Sequence, residues 1–535
     1  MKPKVNSIEK ARAQLDQEAA RTVIVVRAGE VPRIVTEAQT ALLATEAGIY
    51  QRGGQLVRIV KLDAATQQSG VKRSAGTIVI MPVTKDYLNV ALARSARFEK
   101  FDGRVGKVRT IDPPSAASAA LLSLSGEWQF PVLAGLITAP TLRSDGSLLD
   151  QPGYDAATRL FGVYEPNDFP KIDPRPSRLD ACAACDVLND LFSECAFEGD
   201  SDSAHASVAI AALITAALRQ ALPIAPAFGI SAYKASSGKT TIAKTVTQVC
   251  TGRLEPAALS FPEDETELRK CLLSILIAGD PCVLIDNVNR PVDSAAFCAL
   301  LTSAIYADRV LGVNTKVALP TAVTWMLTGN HLQFVGDLTT RALLCVLDPQ
   351  LEHPEARQFK RDLPTYVAQH RGEFLAAALT IPLAYLAAGE PHSPKAAASR
   401  FREWDRLVRQ PLLWLGLADP LSTQEKLRSN DIVREGLVRA LHACHETFGE
   451  NMFTVADIVR EAGKTDPGQS QRLFEAMRDV AAGRDGTINA RSLGRYLQRS
   501  LRRIEDGLRF DDAGEDPTTH RRRFRVSVVD ATSGG

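Results

Sequence analysis

The stretch Tyr233-Lys234-Ala235-Ser236-Ser237-Gly238-Lys239-Thr240 ends as a phosphate-binding loop and begins differently. The usual pattern is G-x-x-x-x-G-K-[ST], and a tyrosine holds the place of its first glycine. In that pattern backbone N–H groups at a helix N-terminus cradle phosphates, the lysine reaches the β- and γ-phosphates, and the hydroxyl sits on Mg²⁺. Ser236, Ser237, Gly238, Lys239, Thr240 and Thr241 are therefore the expected nucleotide contacts, with Thr240 also a metal ligand. Gly238 falls where the backbone passes closest to phosphate, so it is the harder glycine to replace. A non-glycine at the first position is tolerable where its φ and ψ are ordinary. The competing reading is a chance GKT in a loop, which only partner motifs can displace.

Those partners need strand ends to hold them. IAPAFGISA (224–232) is apolar and of strand length, and TTIAKTVTQVC (240–250) spaces Ile242, Val246 and Val249 for one helix face. The loop thus lies between a strand and a helix. PCVLIDNV (281–288) reads as a buried parallel strand delivering Asp286 at its C-terminal end, where it would hold Mg²⁺ directly or through water. Asn287 follows, where many ATPases carry a catalytic glutamate. Glu267 in PEDETELRK (262–270) is an alternative for polarising water, although acids at a helix start also compensate its dipole. AVTWMLTGN (322–330) is a further apolar strand whose tip, Asn330, is placed to orient the attacking water. Arg341 stands just before the next strand and fits a finger reaching a neighbouring subunit's γ-phosphate, a surface salt bridge being the alternative. ADRVLGVNTKVALP (307–320) reads as a hairpin around Asn314-Thr315 with Arg309 and Lys316 flanking the turn. In a ring-shaped motor such a hairpin would point into the pore and touch nucleic-acid phosphates.

The order GKT, LIDN, DRVLG, LTGN and DLTTR-x-L-x-x-x-LDP resembles the helicase part of phage and plasmid primase-helicases. These are similar to superfamily 3 helicases, AAA+-type P-loop ATPases that assemble into rings. GIYQRGGQLVRIV and APTLRSDGSLLDQPGYDAATRL resemble the segment before that motor, and EWDRLVRQPLLWLGLADP the segment after it, so the resemblance spans most of residues 40–420. It implies Lys239 and Thr240 on Walker A, Asp286 and Asn287 on Walker B, Asn330 on the sensor motif and Arg341 on the finger. It also implies ATP and Mg²⁺ as cofactors, single-stranded DNA in a pore, and a homo-oligomer, expected as a hexamer. The chain departs from the pattern at Tyr233 and Ser236, one of which is usually glycine, and at Thr340, where a second arginine is common. Those departures bear on turnover more than on nucleotide binding. The residues before the motor are too few for a primase module and hold no catalytic carboxylate cluster, so no primase activity is expected.

The last stretch is basic. Residues 451–463, 469–483 and 488–507 read as helices, and 507–512 and 520–530 as strands, a winged-helix layout. With Asn489 as N-cap, Arg491, Arg495, Arg499 and Arg502 share one face of the third helix, and Leu493, Leu497, Leu501 and Ile504 the opposite one. Arg521, Arg522, Arg523 and Arg525 add charge on the wing. A solvated basic face is the bland alternative; DNA is preferred because two basic elements coincide in a DNA-binding layout. Mostly arginine with few Asn or Gln suits phosphate contact more than base reading, although arginine also reads guanine.

The bulk numbers frame these motifs. The chain has 535 residues, 45% hydrophobic and 23% charged, with net charge +1, so whole-chain electrostatics names no partner and three or four domains are expected. They divide as 1–177, an α+β helicase-associated domain with linker; 178–350, the P-loop ATPase core; 351–420, a helical extension; and 421–535, the winged helix. The expected fold class is an α/β P-loop NTPase core of AAA+/superfamily 3 type carrying those flanking domains. The polar N-terminus has no signal-peptide core, and the longest apolar run, Val208–Leu218, suits a core helix and is too short for a bilayer. A cytoplasmic protein without a membrane partner is expected. The nine cysteines are scattered; Cys182, Cys185 and Cys195, like His442, Cys444 and His445, read as helix residues rather than a zinc site. The expected function is an ATP-dependent DNA helicase or translocase of a mobile element. The alternative is an ATP-gated DNA-binding initiator that unwinds nothing.

Overall fold

The apolar runs that precede the polar motif residues do become strands, and they lie side by side. The computed structural model describes residues 21–199, 203–310, 315–391, 399–429, 431–464, 468–483, 486–517 and 519–529. The chain forms two units: residues up to Asn289 with Ser294–Leu332 and Leu343–Pro420, and Arg290–Asp293 with Gln333–Ala342 and everything from Leu421.

In the first unit the central elements are β1 (Ala227–Ala232), α1 (Lys239–Thr251), β2 (Ala257–Leu259), α2 (Glu265–Ala278), β3 (Cys282–Ile285), α3 (Ala295–Thr302), β4 (Ile305–Val310), β5 (Thr315–Pro320), β6 (Thr324–Asn330) and β7 (Ala342–Leu347). The sheet runs β7-β1-β6-β3-β2, with β1 parallel to β6, β6 to β3 and β3 to β2. Every residue of β1 and β3 is buried, as expected of parallel strands covered on both faces. The result is a mixed α/β core whose crossover helices follow the strands. Two short strands from earlier in the chain continue this sheet beyond β2: Val71–Arg73, antiparallel to β2, and Thr66–Gln68, antiparallel to Val71–Arg73. The sheet therefore takes residues from both sides of the expected boundary at 177–178. Arg73, 3% exposed, forms a buried ion pair at 2.6 Å with Asp280, 1% exposed.

The remaining N-terminal elements are α+β. Thr22–Val25, Ala96–Asp102 and Lys107–Ile111 form one three-stranded sheet, and Ile49–Arg52, Gln55–Lys61 and Ile78–Pro82 another. The helices Val31–Ala44, Lys85–Ser95 and Ser115–Ser123 pack Ile34, Leu42, Leu88 and Leu121 against Ile24 and Phe98. Thr84 starts the second of them by accepting the Tyr87 N–H at 3.2 Å.

Among the described residues one helix, Ala204–Ala221, is long and apolar enough to cross a membrane, a longer stretch than the run expected to be too short. It is 78% buried within the protein, as a core helix is. The long helix of the expected helical extension is Leu363–Ala387, and it begins where Asp362 accepts the Thr365 N–H. All nine cysteines are free thiols. Cys185 lies buried in the helix Arg178–Leu191, which a Ser177–Asp180 capping box starts, and burial pushes its thiol up to about 11.

The second unit carries α4 (Ile432–Phe448), β8 (Phe453–Thr454), α5 (Val455–Ala462), α6 (Gln469–Ala481), α7 (Ala490–Ser500), β9 (Ile504–Glu505), β10 (Leu508–Glu515) and β11 (Arg522–Val528). Its antiparallel sheet runs β8-β11-β10-β9. The third helix is shorter than its periodicity suggests. It ends at Ser500; Arg502 lies beyond it at φ 63°, and Ile504 enters an edge strand, exposed. The cause is pairing: the Arg502 N–H donates to the Phe510 carbonyl at 2.9 Å, and Ile504 pairs with Arg509 across the two-residue turn Asp506-Gly507. Asp-Gly is a strong signal for such a turn, and here it overrides helix periodicity.

Candidate nucleotide and nucleic-acid sites

The three strand ends meet at one edge of the sheet. β1 and β6 pair in a register that sets Ala232 beside Asn330, and the His331 N–H donates to the Ala232 carbonyl at 3.1 Å. β3 lies on the other side of β6, Ile285 opposite Leu327, so Asp286 emerges next to the same edge. Its N–H donates to the Leu259 carbonyl at 3.0 Å, which fixes the exit of the chain. Gly329 lets these strands approach: a Cβ there would run into the Val288 carbonyl oxygen.

Lys239 is the first residue of α1, after Gly238 at φ 91°. Its Nζ donates to Asn330 Oδ1 at 2.7 Å and to the Lys234 carbonyl at 3.2 Å. Burial lowers the Lys239 pKa, and the nearby Asp286 charge opposes that shift. Thr240 Oγ1 donates to Asp286 Oδ1 at 3.4 Å. Lys239, Thr240, Asp286 and Asn330 thus converge, as their order along the chain suggests. Ser237 is buried and its Oγ donates to the Lys234 carbonyl at 2.9 Å, closing the loop on itself; Ser236 and Thr241 are exposed. Tyr233 does not take a left-handed conformation, whereas Ser236 does, at φ 58°. Tyr233 donates to Glu198 Oε2 at 3.3 Å and stands edge-on to the His331 ring.

Sequence reasoning passed over Thr328. Its buried hydroxyl donates to Asp286 Oδ1 and accepts the Asn287 N–H at 3.2 Å. The signal was present, because Thr328 lies two residues before Asn330 in LTGN, on the same side of the strand. Asn287 itself is exposed at φ 54°. Glu267 is in the first turn of α2, where its N–H donates to the capping Asp264 at 3.0 Å and its carboxylate pairs with Lys270 at 2.5 Å. It is placed as a helix-start acid.

The donor set suits a hard cation. A hydroxyl and a carboxylate oxygen lie 3.4 Å apart, and both are hard oxygen donors of the kind Mg²⁺ takes. Thr240 and Asp286 would hold it, and it would supply charge neutralisation at the phosphates.

Arg309 and Lys316 face each other across the β4–β5 ladder, both exposed; the turn at 311–314 lies outside the described residues. Arg341 belongs to the second unit, where it pairs with Asp337 at 2.8 Å. Arg491, Arg495 and Arg499 line the exposed face of α7, opposite buried Leu493 and Leu497, with no ion-pair partner among the described residues. Arg502 is exposed beyond the helix end. On the hairpin, Arg521 is exposed, Arg522 is paired with Asp512 at 2.5 Å and Arg523 is half-buried, so that element presents less free charge than its composition.

No protein-family model matches this chain, and no curated protein matches it. Among solved structures it is similar to the A-form apo structure of the NrS-1 C-terminal region at 10% identity and TM-score 0.36, over 92% of this chain and 98% of that one. It is similar to SCCmec type IV Cch, described as an active helicase, at 11% identity and TM-score 0.29, over 90% and 97%. A JCV helicase with a bound phenoxyphenyl acetamide is matched at 14% identity and TM-score 0.20, over 47% of this chain and 73% of that one.

Proposed function

We propose that the chain is an ATP-dependent DNA helicase or translocase of a mobile element, working as a ring on single-stranded DNA. One observation carries this reading: Lys239 Nζ lies 2.7 Å from Asn330 Oδ1, and Thr240 Oγ1 3.4 Å from Asp286, at a single sheet edge beside a helix N-terminus. On arrival of a triphosphate, Lys239 exchanges the Asn330 oxygen for phosphate oxygens, and Asn330 is released to orient water. Thr240 and Asp286 hold Mg²⁺, and N–H groups of residues 235–240 take the phosphates. Arg341 completes the site of a neighbouring subunit. Arg309 and Lys316 on the β4–β5 hairpin follow one DNA strand, while Arg491, Arg495 and Arg499 dock on duplex phosphates, the second unit serving as a winged helix.

Asn287 favours a second reading. An amide following Asp286 cannot take a proton as a carboxylate does, which suits a protein that binds ATP to assemble on DNA and separates no strands. DNA-stimulated ATPase and forked-DNA strand displacement distinguish the two. The motor reading expects both activities in the parent protein and a loss of about 100-fold or more in Lys239→Ala. A parent that binds ATP and DNA yet displaces no strand establishes the second reading.

A further inference from the structure

Ala96–Asp102 and Lys107–Ile111 form a ribbon in the N-terminal part of the first unit, with Lys107–Ile111 as a sheet edge. Its base is anchored: Phe98 is 1% exposed and lies in the core with Ile111 packed against that core. From Lys100 outward the side chains leave the core, and Phe101, Val105 and Val108 are 60%, 50% and 57% exposed. The ribbon has five cations, Arg97, Lys100, Arg104, Lys107 and Arg109, against two acids, Glu99 and Asp102. That concentrates a net +3 in a chain whose total is +1. The acids are already taken, Glu99 by Arg97 at 2.9 Å and Asp102 by Arg109 at 3.4 Å. Lys100, Arg104 and Lys107 have no ion-pair partner among the described residues.

The register sorts these groups. Lys100 pairs with Arg109 and Asp102 with Lys107, so all four share one face; Phe101 pairs with Val108 on the other, and Arg104 lies in the turn. At its outer end the ribbon thus carries its cations on one face and Phe101 with Val108 on the other; nearer the base the first face continues into Phe98 and Ile111 and the second into Glu99 and Thr110.

We propose that this ribbon is a second binding site for single-stranded nucleic acid, with phosphates on Lys100, Arg104 and Lys107 and a base packed on Phe101. It rests on the nucleic-acid part of the proposed function and assigns a role to a region that reading leaves idle. A protein docking on Phe101 and Val108 would leave three cations uncompensated. A duplex would satisfy the cations and offer Phe101 no base face. A single strand supplies both.

The test uses the full chain and fluorescently labelled oligo(dT), with anisotropy followed across a salt series. In Lys100→Glu/Arg104→Glu/Lys107→Glu the log–log salt slope should fall by about 2, from roughly 0.7 per lost phosphate contact on a single strand. Phe101→Ala should weaken binding about fivefold or more with the slope unchanged. DNA-independent ATPase and melting temperature should remain those of the parent in both variants, and a charge-reversal control at two exposed cations of the same unit outside the ribbon, Lys171→Glu/Arg175→Glu, should keep the parental slope. Unchanged affinity and slope in the triple variant overturn the proposal. So does an equal loss in the control, or a Phe101→Ala chain that changes oligomer size while binding DNA normally. A parent that lacks ATPase but loses DNA through the ribbon variants sinks the motor reading and keeps this one; ATPase with ribbon-independent DNA binding does the reverse.

Discussion

Thr328→Val tests whether the position of Asp286 or only its presence matters. Valine has nearly the shape of threonine, so this buried position loses a hydroxyl and little volume. Two hydrogen bonds go with it, the one donated to Asp286 Oδ1 and the one accepted from the Asn287 N–H. The second is donated by the backbone of Asn287, so its loss does not fall on the carboxylate. The first ends on a charged oxygen, a class of bond that contributes about 1.5–3 kcal/mol. It orients the carboxylate that would hold Mg²⁺, and removing such an orienting partner costs metal affinity about 10- to 100-fold. The expected result is a rise of that size in the Mg²⁺ concentration for half-maximal ATPase. Metal-free ATP binding should match the parent, and Thr328→Ser should keep parental behaviour. The assay is a Mg²⁺ titration of steady-state hydrolysis beside nucleotide binding in EDTA. A Thr328→Val protein with parental Mg²⁺ dependence refutes the reasoning; equal weakening of metal-free binding means that Thr328 acts through the fold instead.

Arg73→Met removes the partner of a carboxylate that stays buried, which costs about 3–5 kcal/mol in urea unfolding of the first unit. Burial already holds Asp280 above the usual carboxylate range. A carboxyl with a raised folded pKa carries no penalty below its unfolded value and the full penalty above the folded one, so the loss should be larger at pH 8 than at pH 5. Asp280→Asn in the same background should restore most of it, and a pH-independent loss would contradict the account. At the phosphate loop, Ser236→Gly removes a left-handed penalty of about 1–2 kcal/mol and should raise the melting temperature without weakening ATP binding, whereas Ser236→Val should do the reverse. A tenfold weaker ATP affinity in Ser236→Gly would show that the serine side chain, not its backbone, serves the nucleotide.

Much of the sheet was legible because its strands spell themselves. AFGISA, CVLI and TWMLTGN are apolar runs of strand length that stop at polar residues, and burial on both faces leaves no alternation to confuse the reading. Val71–Arg73 and Thr66–Gln68 were not legible in the same way. They are three residues each; the outer one, wholly exposed, pairs with Val71–Arg73, and the inner one joins β2 from far along the chain, a pairing without local signature. The end of α7 failed for a different reason. Leu493, Leu497, Leu501 and Ile504 keep helical spacing, yet a two-residue turn and a ladder partner captured the last of them. Periodicity measures which face a helix would bury, not whether the chain remains a helix.

The phosphate loop shows the same separation between a pattern and the geometry behind it. Its pattern gives weight to the first glycine, but that position needs none, since Tyr233 keeps ordinary backbone angles. The demand for positive φ falls instead on Ser236 and Gly238, and recurs at Asn287 and His331, each immediately after the residue that its strand delivers. Asn and His accept the left-handed region more readily than most side chains, which explains their place at two of these exits. Left-handed residues turn the backbone sharply at the strand tips, so that Lys239, Asp286 and Asn330 face one another across the sheet edge. A departure from the motif at Tyr233 therefore leaves the geometry intact, while a β-branched residue at 236 or a Cβ at Gly329 would move Lys239, Asp286 and Asn330 relative to one another.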